Sequence, residues 1–143
     1  MGIAGIWYNE LDSKMELAVN GSGVTGTYSS AVGDASSWYL VVGLTDPAPK
    51  PTATALGLVV QWANSVHGNS HSVTTWAGQY QVVNGVEYIF TFWLLTRETS
   101  TADNWQATLV GADTFQRTRP TDEQIALRQA RGPAPHPHPA TSG

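Results

Sequence analysis

Apolar and polar positions alternate along the 143-residue chain in short runs, cut at even intervals by Gly, Asn, Asp, Ser and Pro. Alternation of period two is the signature of a pleated strand with one face inward. It predicts strands over Ala4–Asn9, Lys14–Val19, Val24–Ala31, Trp38–Thr45, Thr54–Trp62, His71–Tyr80, Val86–Thr96 and Trp105–Ala112. The breaks fall at Asn20-Gly21-Ser22-Gly23, at the proline-rich run from Asp46 to Pro51, at His67-Gly68-Asn69 and at Asn84-Gly85. Asn-Gly between alternating runs marks a tight hairpin, because both central turn positions need positive φ. Eight strands with short turns and no long helix between them predict an antiparallel meander, a barrel or a sandwich. Closure removes the exposed edges, so the expected fold is all-β: an eight-stranded antiparallel up-and-down β-barrel with room for one small ligand.

The barrel is expected to occupy residues 1–116, followed by a short helical segment over 117–131 and a Pro/His-rich tail over 132–143. Thr121 with Gln124 three positions on forms a capping box. Asp122 and Glu123 fall in the first turn, Arg128 and Arg131 in the last, and Gly132 takes the position just past the end. The tail, with its Pro-Ala-Pro-His-Pro-His-Pro run, forms neither helix nor ladder and reads as extended and flexible. If it is ordered it must dock on something, and the open mouth of a barrel is one candidate.

The strand faces carry the functional signal. In His71–Tyr80 one parity holds Ser72, Thr74, Trp76, Gly78 and Tyr80, small hydroxyls among large rings, which is the lining of a ligand pocket rather than of a dry core. In Val86–Thr96 one face holds Ile89, Thr91, Trp93 and Leu95, while the other holds Tyr88, Phe90, Phe92 and Leu94. A strand apolar on both faces is buried on both, so a second subunit is expected to cover the outside. Composition agrees: six tryptophans in a chain with only 13% charged residues is a large aromatic content for a small domain.

Charge and motifs narrow the chemistry. Seven Lys and Arg against eleven Asp and Glu give a net charge of −4, which excludes a general nucleic-acid footprint. No run approaches the ~18 apolar residues of a membrane helix. With no cysteine there is no disulfide scaffold, thiolate zinc site or thiol nucleophile. His71 and Ser72, as strand neighbours, point to opposite faces and cannot act as base and nucleophile, and no Gly-x-Ser-x-Gly elbow occurs. His67 and His71 have helical metal spacing, but Gly68 and Asn69 between them argue for a loop. No catalytic residue, metal ligand or cofactor is expected.

The segments Gly5-Ile6-Trp7-Tyr8-Asn9, Thr25-Gly26-Thr27-Tyr28, Ser30-Ala31-Val32-Gly33, Thr74-Thr75-Trp76-Ala77-Gly78-Gln79-Tyr80, Trp93-Leu94-Leu95-Thr96 and Thr108-Leu109-Val110-Gly111-Ala112-Asp113-Thr114-Phe115 carry a likeness. Together they resemble the avidin/streptavidin family of biotin-binding proteins. The likeness runs in order over about residues 2–120, and the streptavidin-like branch fits best. The resemblance implies biotin held inside one end of the barrel. It assigns Asn9, Ser13 and Tyr28 as donors to the ureido oxygen, and Asp113 and Ser30 as acceptors of the ureido N–H groups. Thr74 would face the thioether sulfur, with Ser72 and the backbone N–H of Asp34 at the valerate carboxylate. Leu11 and Val32 join the site, Trp62, Trp76, Trp93 and Leu95 wall it, and Trp105 reaches into a neighbouring subunit. A secreted homo-oligomer, a tetramer for preference, is likewise implied.

Departures from the family pattern are Asp34 in place of Asn, Ser70 in place of a small apolar residue, and Phe92 and Ala112 in place of polar interface positions. Two other functions remain open at this level. One is a lipocalin-like carrier, disfavoured because the polar ring would be buried unpaired against a lipid at ~1–3 kcal/mol per group. The other is a structural oligomer with a vestigial pocket.

Overall fold

The computed structural model describes residues 2–29, 38–130 and 137–139. Eight strands form one closed antiparallel barrel in sequence order: β1 (Gly5–Tyr8), β2 (Lys14–Asn20), β3 (Gly23–Ser29), β4 (Tyr39–Thr45), β5 (Ala53–Asn64), β6 (Gly68–Val83), β7 (Val86–Arg97) and β8 (Thr108–Gln116). One short helix, α1 (Asp122–Ala130), follows. The barrel expected from the alternation is the barrel found.

Turn chemistry explains the hairpins. Asn84 and Gly85 have φ of 51° and 79°, so both central positions of the β6–β7 turn take the left-handed conformation that Asn-Gly supplies. At the earlier Asn-Gly pair the turn lies one residue later: Asn20 pairs with Gly23, leaving Gly21 and Ser22 as the loop. Strand β6 begins at Gly68 rather than His71 and runs on to Val83, because Asn64 pairs with Gly68 and the break falls at Ser65–His67. The largest correction is at Trp105. It lies in a 3₁₀ helix over Thr101–Gln106, and β8 is Thr108–Gln116, not Trp105–Ala112. The capping box forms as expected: Gln124 N–H donates to Thr121 Oγ1 at 3.1 Å, and Thr121 N–H donates to Gln124 Oε1 at 2.8 Å. Gly132 and Arg131 lie outside the described residues.

Cross-strand register sets the interior. Trp76 stands opposite Trp93, and Trp93 opposite Gly111, one row across β6, β7 and β8. A Cβ at Gly111 would sit 2.2 Å from the Trp93 ring, so glycine is what lets that indole lie flat against β8. The adjacent row places Thr91 opposite Asp113. Among the described residues the hydrophobic core cluster runs from Ile3 to Phe115.

The closing seam between β1 and β8 has a single registered pair, Tyr8 with Gln116. Side chains reinforce it. The Arg117 guanidinium donates to the carbonyls of Gly2 (2.6 Å), Ala4 (2.9 Å) and Ile6 (3.3 Å), and lies 3.7 Å over the Trp7 ring. Glu87 Oε2 accepts from Arg117 Nε at 3.4 Å. One cation thereby ties β1, β7 and the end of β8 together.

Candidate functional site

The interior has an aromatic chamber built from β3, β5, β6 and β7. Tyr28, Trp62, Trp76 and Trp93 are all buried. Tyr28 packs edge-on to Trp62 at 5.4 Å and tilted against Trp76 at 5.5 Å, and Trp62 meets Trp76 at 6.4 Å. Offset and edge-to-face contacts at these spacings are the favoured geometries of aromatic quadrupoles. Tyr39, which the sequence pattern did not single out, closes on Trp62 at 4.9 Å.

Polar groups are set into this chamber at fixed positions. Asn9, Ser13, Ser72, Thr74, Thr91 and Asp113 are buried. Asn9 stands just past β1, where a tight loop turns the chain back to β2. Its Oδ1 accepts from Leu11 N–H (3.0 Å) and Ser13 N–H (2.9 Å). The loop therefore holds the amide oxygen, which turns the NH₂ end toward the buried Asp113 carboxylate. Leu11 is half-buried in this loop.

Asp113 is 4% exposed and accepts the Trp76 indole N–H on Oδ2 at 3.0 Å. Thr91 Oγ1 donates to its backbone carbonyl at 2.9 Å. Burial, and then the nearby Glu10 charge, push the Asp113 carboxyl up to about 7, with the Trp76 donation pulling the other way. Glu10 is itself raised by burial, and its Oε2 accepts from Thr114 N–H at 3.1 Å. Sequence reading missed Glu10, because only closure of the β1–β8 seam brings it beside Asp113. Burial followed by the Asp113 charge holds the Tyr28 phenol protonated far above its ordinary range. Tyr28 Oη and Trp93 Nε1 are buried donors with no hydrogen-bond partner among the described residues. Such groups are rare in folded interiors and mark a place where a ligand acceptor belongs.

Toward the other end of the chamber Trp62 Nε1 donates to Thr74 Oγ1 at 2.7 Å, and Thr74 Oγ1 donates to the carbonyl of Pro137. Ser70 Oγ donates to the Trp62 carbonyl at 2.8 Å and shares a 2.7 Å hydrogen bond with Ser72 Oγ, so the Ser70 departure fixes its neighbour. Leu95 is buried opposite Thr74, and Leu109, a residue of the inner parity not singled out from sequence, pairs with Leu95. Trp105 is 80% exposed on the single chain and does not join the chamber. Ser30, Val32 and Asp34 lie outside the described residues.

The chamber therefore collects hydroxyl, amide and indole donors around one buried carboxylate, an arrangement suited to a small ligand with both hydrogen-bond donors and acceptors. Comparison with known proteins agrees with this architecture. The model of the avidin family matches residues 1–118. Avidin of Gallus gallus is 35% identical over 128 residues, covering 85% of this chain and 81% of that protein. Fibropellin-1 of Strongylocentrotus purpuratus is 28% identical over 121 residues, covering 80% of this chain but only 11% of that much longer protein. With its closed eight-stranded barrel, its aromatic chamber and a family match spanning all eight strands, the chain belongs to the avidin family.

Proposed function

We propose that this protein binds biotin, without chemical conversion, in the aromatic chamber. The observation that carries the reading is the buried Asp113–Trp76 pair beside the unpartnered Tyr28 hydroxyl. A ureido group presents one carbonyl acceptor and two N–H donors. The NH₂ of Asn9 and the hydroxyls of Ser13 and Tyr28 supply donors for the oxygen, and Asp113 with Ser30 supplies acceptors for the N–H groups. Converging donors stabilise negative charge on the ureido oxygen, while Asp113 stabilises positive charge on the nitrogen, so each hydrogen bond strengthens the other.

Thr74 would then face the thioether, Trp62, Trp76, Trp93 and Leu95 would wall the rings and alkyl chain, and Leu11 and Val32 would border them. Ser72 and the Asp34 N–H would receive the valerate carboxylate. We further propose a secreted homo-oligomer, a tetramer for preference, in which Trp105 of each chain covers a neighbour's site. Two exposed outer-face patches support assembly: Leu40, Val42 and Leu44 on β4, and Phe92 and Leu94 on β7 with Val110 on β8. Titration with biotin, followed by tryptophan fluorescence and calorimetry, tests the central claim. A saturable change with stoichiometry near one per chain is expected; no heat and no spectral change would overturn it.

A further inference from the structure

The chamber already holds a piece of the chain. Pro137 is buried, and His138 and Pro139 are half-buried, although this segment belongs to no helix or strand. Thr74, which is 0% exposed, uses its proton on the Pro137 carbonyl while its lone pair receives the Trp62 indole N–H. The His138 ring packs edge-on to Trp62, centroids 6.0 Å apart at 70°. One hydroxyl and one indole thus engage the backbone of Pro137 and the side chain of His138.

The chemistry of the two partners matches. The chamber is rich in donors, counting Thr74, Ser72, Tyr28 Oη and Trp93 Nε1. Pro137-His138-Pro139 is poor in them, since two of its three residues have no backbone N–H and all three carry a carbonyl. Proline fixes φ before binding, so ordering such a segment loses little entropy, which is why aromatic-lined grooves elsewhere recognise polyproline-type peptides.

We propose that Pro137–Pro139 is an internal ligand of the barrel, and that the mouth is a site for Pro-His-Pro peptides which the chain's own tail fills until a small ligand displaces it. Competition with biotin rests on the function proposed above; the peptide site does not. The segment meets Thr74 and Trp62, residues placed at the thioether and ring wall, so the two occupants exclude each other sterically. Only six residues separate Pro137 from the last helical residue, Ala130. A tether that short holds its ligand at about millimolar effective concentration, enough for a weak peptide to compete.

Two measurements test this. The first compares the full chain with one ending at Arg131, which keeps every core residue. Stopped-flow tryptophan fluorescence should show biotin associating roughly tenfold or more faster with the shorter chain, as a tethered competitor has been removed; equal rates overturn the proposal. The second adds a synthetic peptide spanning Gly132–Thr141 to the chain ending at Arg131, read by calorimetry. Saturable binding that Thr74→Val weakens is expected, and no binding overturns the internal ligand whatever biotin does. If the peptide binds while neither chain binds biotin, the internal ligand stands and the biotin reading falls.

Discussion

The indole N–H of Trp76 on β6 reaches Asp113 on β8 across 3.0 Å, bridging over β7, the strand that lies between them. The contact joins the aromatic wall to the buried carboxylate, so the position of each depends on the other. Replacing Asp113 by Ala strands the Trp76 N–H and a ligand N–H together. Biotin affinity is expected to fall by about 3 kcal/mol or more, over a hundredfold in Kd, with the barrel still folded. Calorimetry by displacement of a weaker ligand measures the first, and circular dichroism the second. Unchanged affinity would mean that Asp113 does not meet the ligand.

The same carboxyl makes the site pH-sensitive. Burial and Glu10 raise it to about 7 in the folded chain, well above the ordinary carboxylate range. Between that range and about 7 the folded chain holds a proton that the unfolded chain has lost. Stability from this group is therefore greatest at acid pH and declines as pH rises through the window. Binding runs the opposite way, because an N–H donor favours the ionised acceptor. The Kd for biotin is expected to rise as pH falls below about 7, approaching tenfold per pH unit, and Asp113→Asn should flatten the profile. A Kd constant from pH 5 to 8 would contradict the assignment.

Gly111 offers a steric test of the chamber's wall. A methyl group there would lie 2.2 Å from Trp93, a distance no relaxed contact permits. Gly111→Ala should push the Trp93 ring off its place, costing about 1–3 kcal/mol of stability as overpacking does, and shift the tryptophan emission of the unliganded protein. Gly85→Ala, far from the chamber in the β6–β7 turn at φ of 79°, strains the backbone without touching Trp93. Comparing the two by denaturant titration and fluorescence separates wall displacement from general destabilisation.

Much of this was legible in the alternation. Trp76 with Thr74, and Trp93 with Leu95, share a parity, and a pleat of period two fixes parity whatever the strand's ends. The ends themselves were harder to read. Gly68 and Asn69 look like a break, yet they pair into β6, because a long neighbouring strand overrides weak local propensity. Trp105 was mistaken for strand because a six-residue 3₁₀ helix is too short to show a period of its own. Glu10 beside Asp113 was beyond reach, and docking of the tail was legible only as one candidate with no partner residue named, for one reason: each contact joins positions far apart in the chain, and only the closed barrel creates it.

Arg117 is expected to matter for folding and not for binding. It spans the weakest ladder of the barrel, donates to the carbonyls of Gly2, Ala4 and Ile6 and covers Trp7, and none of these contacts is with a residue of the aromatic wall or with Asp113. The Glu87 carboxyl feels burial raising it, but the Tyr80 hydroxyl and Arg117 outweigh that and hold it below its usual range. Arg117→Met keeps apolar cover on Trp7 and removes the donors. A loss of about 2–3 kcal/mol, from charged hydrogen bonds left unmade across a partly buried seam, is expected in urea titration. Biotin affinity per folded chain should stay within twofold of the parent.

The outer face supplies the last prediction. Phe92 is 72% exposed on the single chain, with Leu94 on the same strand and Val110 opposite Leu94 on β8, while Leu40, Val42 and Leu44 stand outward on β4, on another side of the barrel. An apolar surface of that extent, on a chain with no compensating charge on the same positions, favours burial against a second copy. Light scattering at micromolar concentration is expected to give a multiple of the 15.3 kDa chain mass. Phe92→Glu places a charge in the β7–β8 patch and should shift the mass toward one chain while leaving the barrel's circular dichroism unchanged. Trp105→Lys distinguishes a shared site from a merely sticky surface. If Trp105 covers a neighbour's chamber, the substitution lowers biotin affinity in the oligomer and has no effect in the Phe92→Glu background, where no neighbour remains to be covered. An equal loss in both backgrounds would place Trp105 in the chamber of its own chain, contrary to its exposure.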